Sequence, residues 1–509
     1  MCDCWTDYTS PEMKGLINDK SNQTQVFWIS LGKLSSFALA FVSAAILSRY
    51  LSKEDYGTYK QVMYIYSAFV LIFTAGLPET LTYFLPKLTK SEGKHLVNRF
   101  ELVFVGLGLI FSLFFYFGSG LIAEILENPA LEKALKIYAP VPLLLMPTFS
   151  IESIYLREQK SYYLAMYTVF SRIVVLASIV FPVIFYKANY ETALHGLVIS
   201  SFLMLLAALF LIYRPYRGYE SKKSSLHIRD IAAYALPLLG ADLCVMMSGS
   251  ADQFFISRYF GEVVFAEFAN GFIQFPLAPM ITASVMAVLI PLFSRANIPE
   301  LFNDAIQSWQ KAIIKTSLIL YPLLIYSMVF ASEIIIIIYG KEYASSSIYF
   351  QIILLSNFVN IYPFLPVMLA LGKMRIYVSF YLISAISIWL TEAISMYIYP
   401  SPIVIACVSA ANSILVIIAF YTYIKYKLRI SVFTQKIVIS LVKTIGHAIL
   451  ILIPLRFFFF PLIEELPLFL NQVLSFSVFY LAILITGKWI GLDYQNIALP
   501  IFKSLFNKK

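Results

Sequence analysis

Arg172 lies about midway through the apolar run YTVFSRIVVLAS. A guanidinium so far from either end of such a run needs a carboxylate partner, a phosphate ligand or a water-filled cavity, because charge is costly in hydrocarbon. Lys33, in ISLGKLSSFALA, admits two readings. Its flexible stem lets the ammonium snorkel to a polar surface, or it faces the same interior as Arg172 and supplies a second cation. Asp242, in PLLGADLCVMM, and Asp252, ten residues further along in the outer third of the same expected helix, are carboxylates within one run. Glu79 (AGLPETLTYF) and Glu152 (FSIESIYL) stand near the ends of their runs. There a carboxylate caps a helix, reaches interfacial water or serves an ion. Glu267, Glu333 and Glu392 carry weaker claims. Lys315, Lys443 and His447 read as snorkelling side chains or polar packing contacts.

The elements that must position these groups are membrane helices. Hydrophobic residues make up 60% of the 509 and charged residues 13%, about half the roughly 25% of soluble domains. No soluble fold hides that much apolar surface. Windows of about 20 apolar residues recur along the chain, giving about fourteen expected spans. The first is expected at 27–50, the second at 58–83, the eighth at 264–291 and the tenth at 347–371. The expected organisation is an N-terminal segment (1–26), an N-lobe of six spans (27–213), a basic linker (214–230), a C-lobe of six spans (231–424), an extra helix pair (437–487) and an amphipathic tail (488–509).

The loops then set direction. With the N-terminus in the cytoplasm, the inner loops hold Lys87, Lys90, Lys94, Arg99, Arg157, Lys160, Arg214, Arg217, Lys222, Lys223 and Arg229 in the first half alone. The outer loops there hold only Lys53, Lys133 and Lys187. This follows the positive-inside rule, places both termini in the cytoplasm, and makes the net charge of +9 a matter of topology rather than nucleic-acid binding. Cys244 and Cys407 lie in apolar runs and pack as small hydrophobes, while Cys2 and Cys4 have no further Cys or His beside them to complete a metal site. The four His are scattered, and there is no Gly-rich phosphate loop or nucleotide-sugar domain. No catalytic residue, metal or cofactor is expected, and the chain does not read as an enzyme.

A repeat runs through the sequence. ILSRYLSKEDYGTYKQ (46–61) is echoed by FISRYFGEVVFAEFANG (255–271), with Ser48-Arg49-Tyr50 on Ser257-Arg258-Tyr259, Tyr56 on Phe265 and Tyr59 on Phe268. FLPKLTK (84–90) is echoed by LIPLFSR (289–295), and QKSYYLAMY (159–167) by KMRIYVSFY (373–381). Six spans separate the copies, so the halves are related by an axis along the membrane normal. Under the same displacement of 209 positions Lys33 falls on Asp242, at matched depth on matched helices.

The stretches LSRYLSKEDYGTYKQ, SADQFFISRYFG (250–261) and LALGKMRIYVSFYLISAI (369–386) resemble helix signatures of Wzx-type polysaccharide-biosynthesis and O-antigen flippases. That family lies within the MATE-like (multidrug/oligosaccharidyl-lipid/polysaccharide) superfamily. The resemblance covers nearly the whole chain. It implies an all-α polytopic fold of two pseudo-symmetric six-helix lobes around a central cavity plus a C-terminal pair, in the inner membrane. It also implies a polyprenyl-diphosphate-linked glycan as cargo, alternating access, membrane lipids and a polysaccharide polymerase as partners, and a proton or sodium ion for coupling. Arg172 and Lys33 would then meet the diphosphate, and Asp242, Asp252, Glu79 and Glu152 would serve coupling or gating. Two alternatives stand beside this: a cation-coupled drug antiporter of the same superfamily, and a membrane glycosyltransferase or polymerase acting on the same lipid carrier. The sequence does not name the sugar.

Overall fold

A computed structural model describes residues 19–495 apart from Lys187, Ser225, Gln274, Pro276, 295–298 and Phe433. For 19–27, 29, 30, 33, 241 and 299 it describes the backbone alone. Most of the N-terminal segment, the tail beyond residue 495 and the Lys33 side chain therefore lie outside the described residues.

Among the described residues the chain forms helices and no strand. They are α1 (Asp19–Tyr50), α2 (Lys53–Thr74), α3 (Leu77–Phe84), α4 (Lys90–Ile125), α5 (Ala130–Tyr138), α6 (Pro140–Leu145), α7 (Ser150–Arg157), α8 (Ser161–Phe185), α9 (Tyr190–Tyr213) and α10 (Ile228–Gly271). There follow α11 (Leu277–Ser294), α12 (Pro299–Val329), α13 (Ala331–Tyr339), α14 (Ser347–Val359), α15 (Leu365–Ala370), α16 (Met374–Ile398), α17 (Pro402–Tyr426), α18 (Gln435–Pro454), α19 (Phe460–Leu462) and α20 (Leu468–Thr486). The chain divides into two compact units, a first ending at Leu243 and a second beginning at Cys244.

Eleven helices among the described residues are long and apolar enough to cross a membrane, or up to twelve if a bent pair counts as one span. The exact count of fourteen is not confirmed among the described residues. The first expected span, 27–50, lies within the continuous helix α1; its stretch Leu34–Tyr50 is apolar, and the side chains of residues 29, 30 and 33 before it lie outside the described residues. The tenth breaks between Val359 and Leu365, where Pro363 follows Asn360 and cannot continue the hydrogen-bond ladder. The eighth, expected at 264–291, starts later than expected and is still one of the eleven: residues 264–271 complete α10, and α11 runs over Leu277–Ser294.

The bent pair is α2 and α3, which meet at 45°. Ala75 and Gly76 both take left-handed φ values of 51° and 66°, which end α2 and restart the chain as α3. A Cβ on Gly76 would come 2.7 Å from Leu238 Cβ, so only glycine lets the break seat against the first turns of α10.

In the first unit Phe111 stacks on Phe73 at 4.3 Å and on Tyr66 at 5.8 Å. Asn128 donates to Gln61 at 2.6 Å and to Thr58 at 3.1 Å, a buried polar tie between α2 and the α4–α5 turn. In the second unit the extra pair docks on the lobe. Tyr326 and Phe330 of α12 and its end pack with Leu452 of α18 and Phe479 and Ile483 of α20. Large apolar side chains such as Phe117, Phe181, Phe210, Leu450 and Phe457 remain exposed, as lipid-facing surface requires.

The repeat has a physical meaning. Ser48 and Ser257 are 2% and 0% exposed, while Tyr50 and Tyr259 are 49% and 50% exposed. Tyr56 and its counterpart Phe265 are both fully buried. The two copies thus occupy matched environments. Their continuations differ: Tyr50 ends α1, whereas Tyr259 is followed by a kink at Gly261, φ 77°, inside α10.

Candidate functional site

The first unit assembles a cationic site on α1, α2 and α8. A Cβ on Gly32 would lie 3.2 Å from Ala165 Cα, so α1 and α8 touch along a seam that a larger side chain would open. One turn further on α1 and two on α8, Arg172 Nε donates to Ser36 Oγ at 2.6 Å. Residues rise together along this seam, so α1 and α8 run parallel. Tyr59 of α2 lies within electrostatic reach of the Arg172 guanidinium. Its neighbour Lys60 sets its ammonium 5.2 Å from the centroid of the Tyr56 ring, and Tyr56 stacks on Tyr59 at 6.4 Å.

Among the described residues neither Arg172 nor Lys60 has a carboxylate within ion-pair distance. Of the three partners that the sequence allows Arg172, the carboxylate is therefore missing. Arg172 is exposed and held by a hydroxyl, which orients the guanidinium and leaves its charge uncancelled. Lys60 was not marked by sequence, because a lysine at the start of an expected span is ordinary interfacial chemistry.

The other candidates separate into two groups. Asp242, half-buried on α10, has Glu79 as its charged neighbour. Glu79 is exposed in the first turn of α3, and Glu152 is exposed in the first turn of α7. Helices α3 and α7 are joined by Thr82 and Ser153 hydroxyls 2.7 Å apart and by Ser153 Oγ donating to Pro78 O at 3.2 Å. The structure thus gathers Asp242 and Glu79, which are like-charged. The Lys33 side chain lies outside the described residues, so its correspondence with Asp242 stays a correspondence of backbone position.

Asp252 belongs to a different place in the second unit. It is 7% exposed, and its Oδ2 accepts from Ser409 Oγ of α17 at 3.3 Å while its Oδ1 accepts from Gln253 N at 2.8 Å. Glu392 of α16 is fully buried within electrostatic reach of Asp252, and neither of its carboxyl oxygens has a hydrogen-bond partner among the described residues. The surrounding frame is fixed. Trp389 Nε1 donates to Met247 O at 2.8 Å and its ring packs on Phe254 and Phe255. Asn412 donates to Ser384 Oγ at 2.8 Å. Two carboxyl groups and a hydroxyl from three helices converge in a dry setting, the donor chemistry of a proton or hard-cation site.

Sequence ranked Glu392 low. The signal that was available is a carboxylate in mid-run, ISIWLTEAISMY; what was missing is its facing partner on another helix. Glu101 was missed altogether. It is buried on α4 and accepts a short hydrogen bond from Ser150 of α7.

Three remaining charges are structural. Glu333 pairs with Arg456 at 2.5 Å, Lys443 Nζ donates to Ile490 O at 3.2 Å, and His447 Nε2 sits 2.8 Å from Thr486 Oγ1. Lys315 lines a largely apolar cleft of about 620 Å³ between α11 and α12.

A family model described as "Polysaccharide biosynthesis protein" matches residues 24–297. The chain is 21% identical over 339 residues to the succinoglycan biosynthesis transport protein ExoT of Rhizobium meliloti (strain 1021), covering 65% of each chain. The match thus spans just under two thirds of that relative. Among solved structures the fold is similar to the lipid II flippase MurJ in an inward closed conformation, with a TM-score of 0.66 at 15% identity, covering 91% of this chain and 99% of that one. It is also similar to an inward-facing multidrug resistance MATE family transporter of the MOP superfamily, with a TM-score of 0.58 at 12% identity, covering 80% of this chain and 99% of that one.

Proposed function

Because this chain belongs to the polysaccharide biosynthesis protein family, we propose that it is a flippase carrying a polyprenyl-diphosphate-linked oligosaccharide across the cytoplasmic membrane by alternating access. The observation that carries this reading is that two cations of the first unit, Arg172 by Tyr59 and Lys60 by Tyr56, have no carboxylate within ion-pair distance among the described residues. A diphosphate crosses hydrocarbon only if its desolvation is offset by cations and donors. Arg172 offers a planar fork and Lys60 a point charge, while Tyr59, half-buried and backed by the buried Tyr56 ring, offers an apolar face with a hydroxyl tip, suited to a sugar. A relative named as a succinoglycan biosynthesis transport protein and a fold neighbour named as a lipid II flippase support the same cargo class.

Asp252 and Glu392 are assigned to coupling. A proton or sodium ion bound between them changes the charge of the α10–α16–α17 junction, which lets an ion gradient bias a conformational equilibrium. The basic loops support a reading in which both termini are cytoplasmic, and a polysaccharide polymerase is the expected recipient of the cargo.

The test is deletion followed by complementation. Loss of the protein should leave lipid-linked oligosaccharide on the cytoplasmic leaflet. The intact chain should clear it, whereas Arg172→Ala and Lys60→Ala chains at normal membrane levels should not. A deletion that raises sensitivity to cationic drugs without trapping lipid-linked glycan would sink the reading in favour of the antiporter. A deletion in which the oligosaccharide itself is shorter or absent would favour the membrane enzyme.

A further inference from the structure

A cleft of about 390 Å³ opens between α4 and the end of α9, on the first unit and away from Arg172 and Lys60 in sequence. Its walls carry three cations, Lys94, Arg214 and Arg217, and no carboxylate. Two of them are held in place. Lys94 Nζ donates to Tyr219 O at 2.7 Å, and the Arg214 guanidinium lies 4.7 Å over the Tyr163 ring. Gly218, at φ 83°, turns the chain back toward α4, where Lys222 N donates to Ser91 O at 3.1 Å. The acidic side chains nearby are engaged elsewhere. Glu92 closes the capping box of α4 with Thr89, Glu158 pairs with Lys90 and Arg157, and Glu101 accepts from Ser150. Glu220 is exposed beyond Gly218 and does not line the cleft, so its walls hold no carboxylate to balance the three cations.

Its other wall is apolar. Leu209 and Phe210 line it, and both are exposed, as is Leu206 one turn earlier on α9. The outer, lipid-facing surface of α9 thus runs directly into the cations. We propose that this cleft holds the phosphate of an anionic membrane lipid, with the acyl chains lying along α9. A phosphate fits between forked guanidinium groups, and basic recesses between helices at the positively charged membrane face are where such headgroups lodge. A free phosphate would engage the same cations but has no use for the continuous apolar wall, so the lipid is the occupant assigned. The bound lipid would brace α4, α9 and the 214–222 segment together.

The test uses the full chain reconstituted in vesicles of equal phosphatidylglycerol and phosphatidylcholine, then extracted and weighed by native mass spectrometry. The intact chain should retain phosphatidylglycerol several-fold over phosphatidylcholine. Arg214→Gln with Arg217→Gln should bring the ratio to parity, with the thermal midpoint in pure phosphatidylcholine unchanged. Lys133→Gln with Lys136→Gln, outside the cleft, should keep the preference. If the double variant does not fold, Arg217→Gln alone, at an exposed position, should still halve the enrichment or more. Undiminished enrichment in the cleft variants overturns the proposal. So does stabilisation of the chain in pure phosphatidylcholine by inorganic phosphate to the extent given by phosphatidylglycerol, which would make the cleft a free-anion site.

Discussion

A guanidinium held by one hydroxyl and no carboxylate is poised to bind an anion. Replacing Arg172 by lysine keeps the charge but loses the Nε donor to Ser36, so partial transport is expected; alanine should abolish it. Ser36→Ala should be milder. A hydrogen bond to a charged group contributes about 1.5–3 kcal/mol, roughly ten- to hundred-fold in rate if realised in full at the barrier. Clearance of trapped lipid-linked glycan in a deletion strain measures the order intact, Ser36→Ala, Arg172→Lys, Arg172→Ala. Full clearance by Arg172→Ala would make the residue structural. At the second site, Asp252→Asn and Glu392→Gln preserve shape and remove the ionisable group. Transport in proteoliposomes should then lose its dependence on an imposed proton or sodium gradient while binding of cargo persists. Retained gradient dependence in both variants would remove these carboxyls from coupling.

At the scale of elements, close approach is where the helices are most sensitive. A Cβ on Gly196 of α9 would collide with the Ser178 carbonyl of α8, and backbone cannot move aside as a side chain can. Gly196→Ala should therefore lower the thermal midpoint in detergent, overpacking of this kind costing about 1–3 kcal/mol. Gly106 of α4 has open space around its missing Cβ, so Gly106→Ala should leave the midpoint unchanged or raise it, since alanine is the better helix former. Equal midpoints for the two variants would contradict the packing described. The extra pair makes a second case. Arg456 anchors α18 and its extension to Glu333 of α13, with the guanidinium 4.9 Å from the Phe330 ring and 4.6 Å from the Phe460 ring. Arg456→Met alone leaves Glu333 without its cation and should destabilise the second unit. Adding Glu333→Gln should recover part of the loss, because the unpaired charge is the larger penalty. A double variant no better than the single one would assign the anchor to the aromatic contacts instead.

For the whole molecule, the direction proposed in the membrane rests on the basic loops rather than on any contact. Ser221 is exposed in the linker, beside His95 Nδ1 at 3.3 Å. In a chain whose native cysteines are replaced, Ser221→Cys should resist an impermeant thiol reagent in intact cells and react after the membrane is opened. Labelling in intact cells would reverse the orientation and with it the direction proposed for cargo.

Composition is a property of the chain itself and was enough to indicate an all-helical membrane protein, the repeated spacing pointed to duplicated halves, and the flippase kinship came from the resemblance of particular motifs. An apolar run of given length has few ways to exist in lipid, so the elements could be read without coordinates. SRY at 48–50 and at 257–259 marked equivalent environments for the same reason: a buried serine and an exposed tyrosine at one helical register must face core and surface alike in both copies. The continuity of each helix was not legible, since a single φ at Gly261 or a Pro-containing break at 360–364 decides whether two apolar runs become one helix or two. Pairing was hidden for a deeper reason. Whether a charge is cancelled depends on what another helix brings within a few ångströms, and sequence separation carries no record of that distance. Only the tertiary structure left Arg172 with a hydroxyl and no carboxylate, placed Lys60 beside the tyrosines, and drew Glu392 from the lowest rank to the side of Asp252.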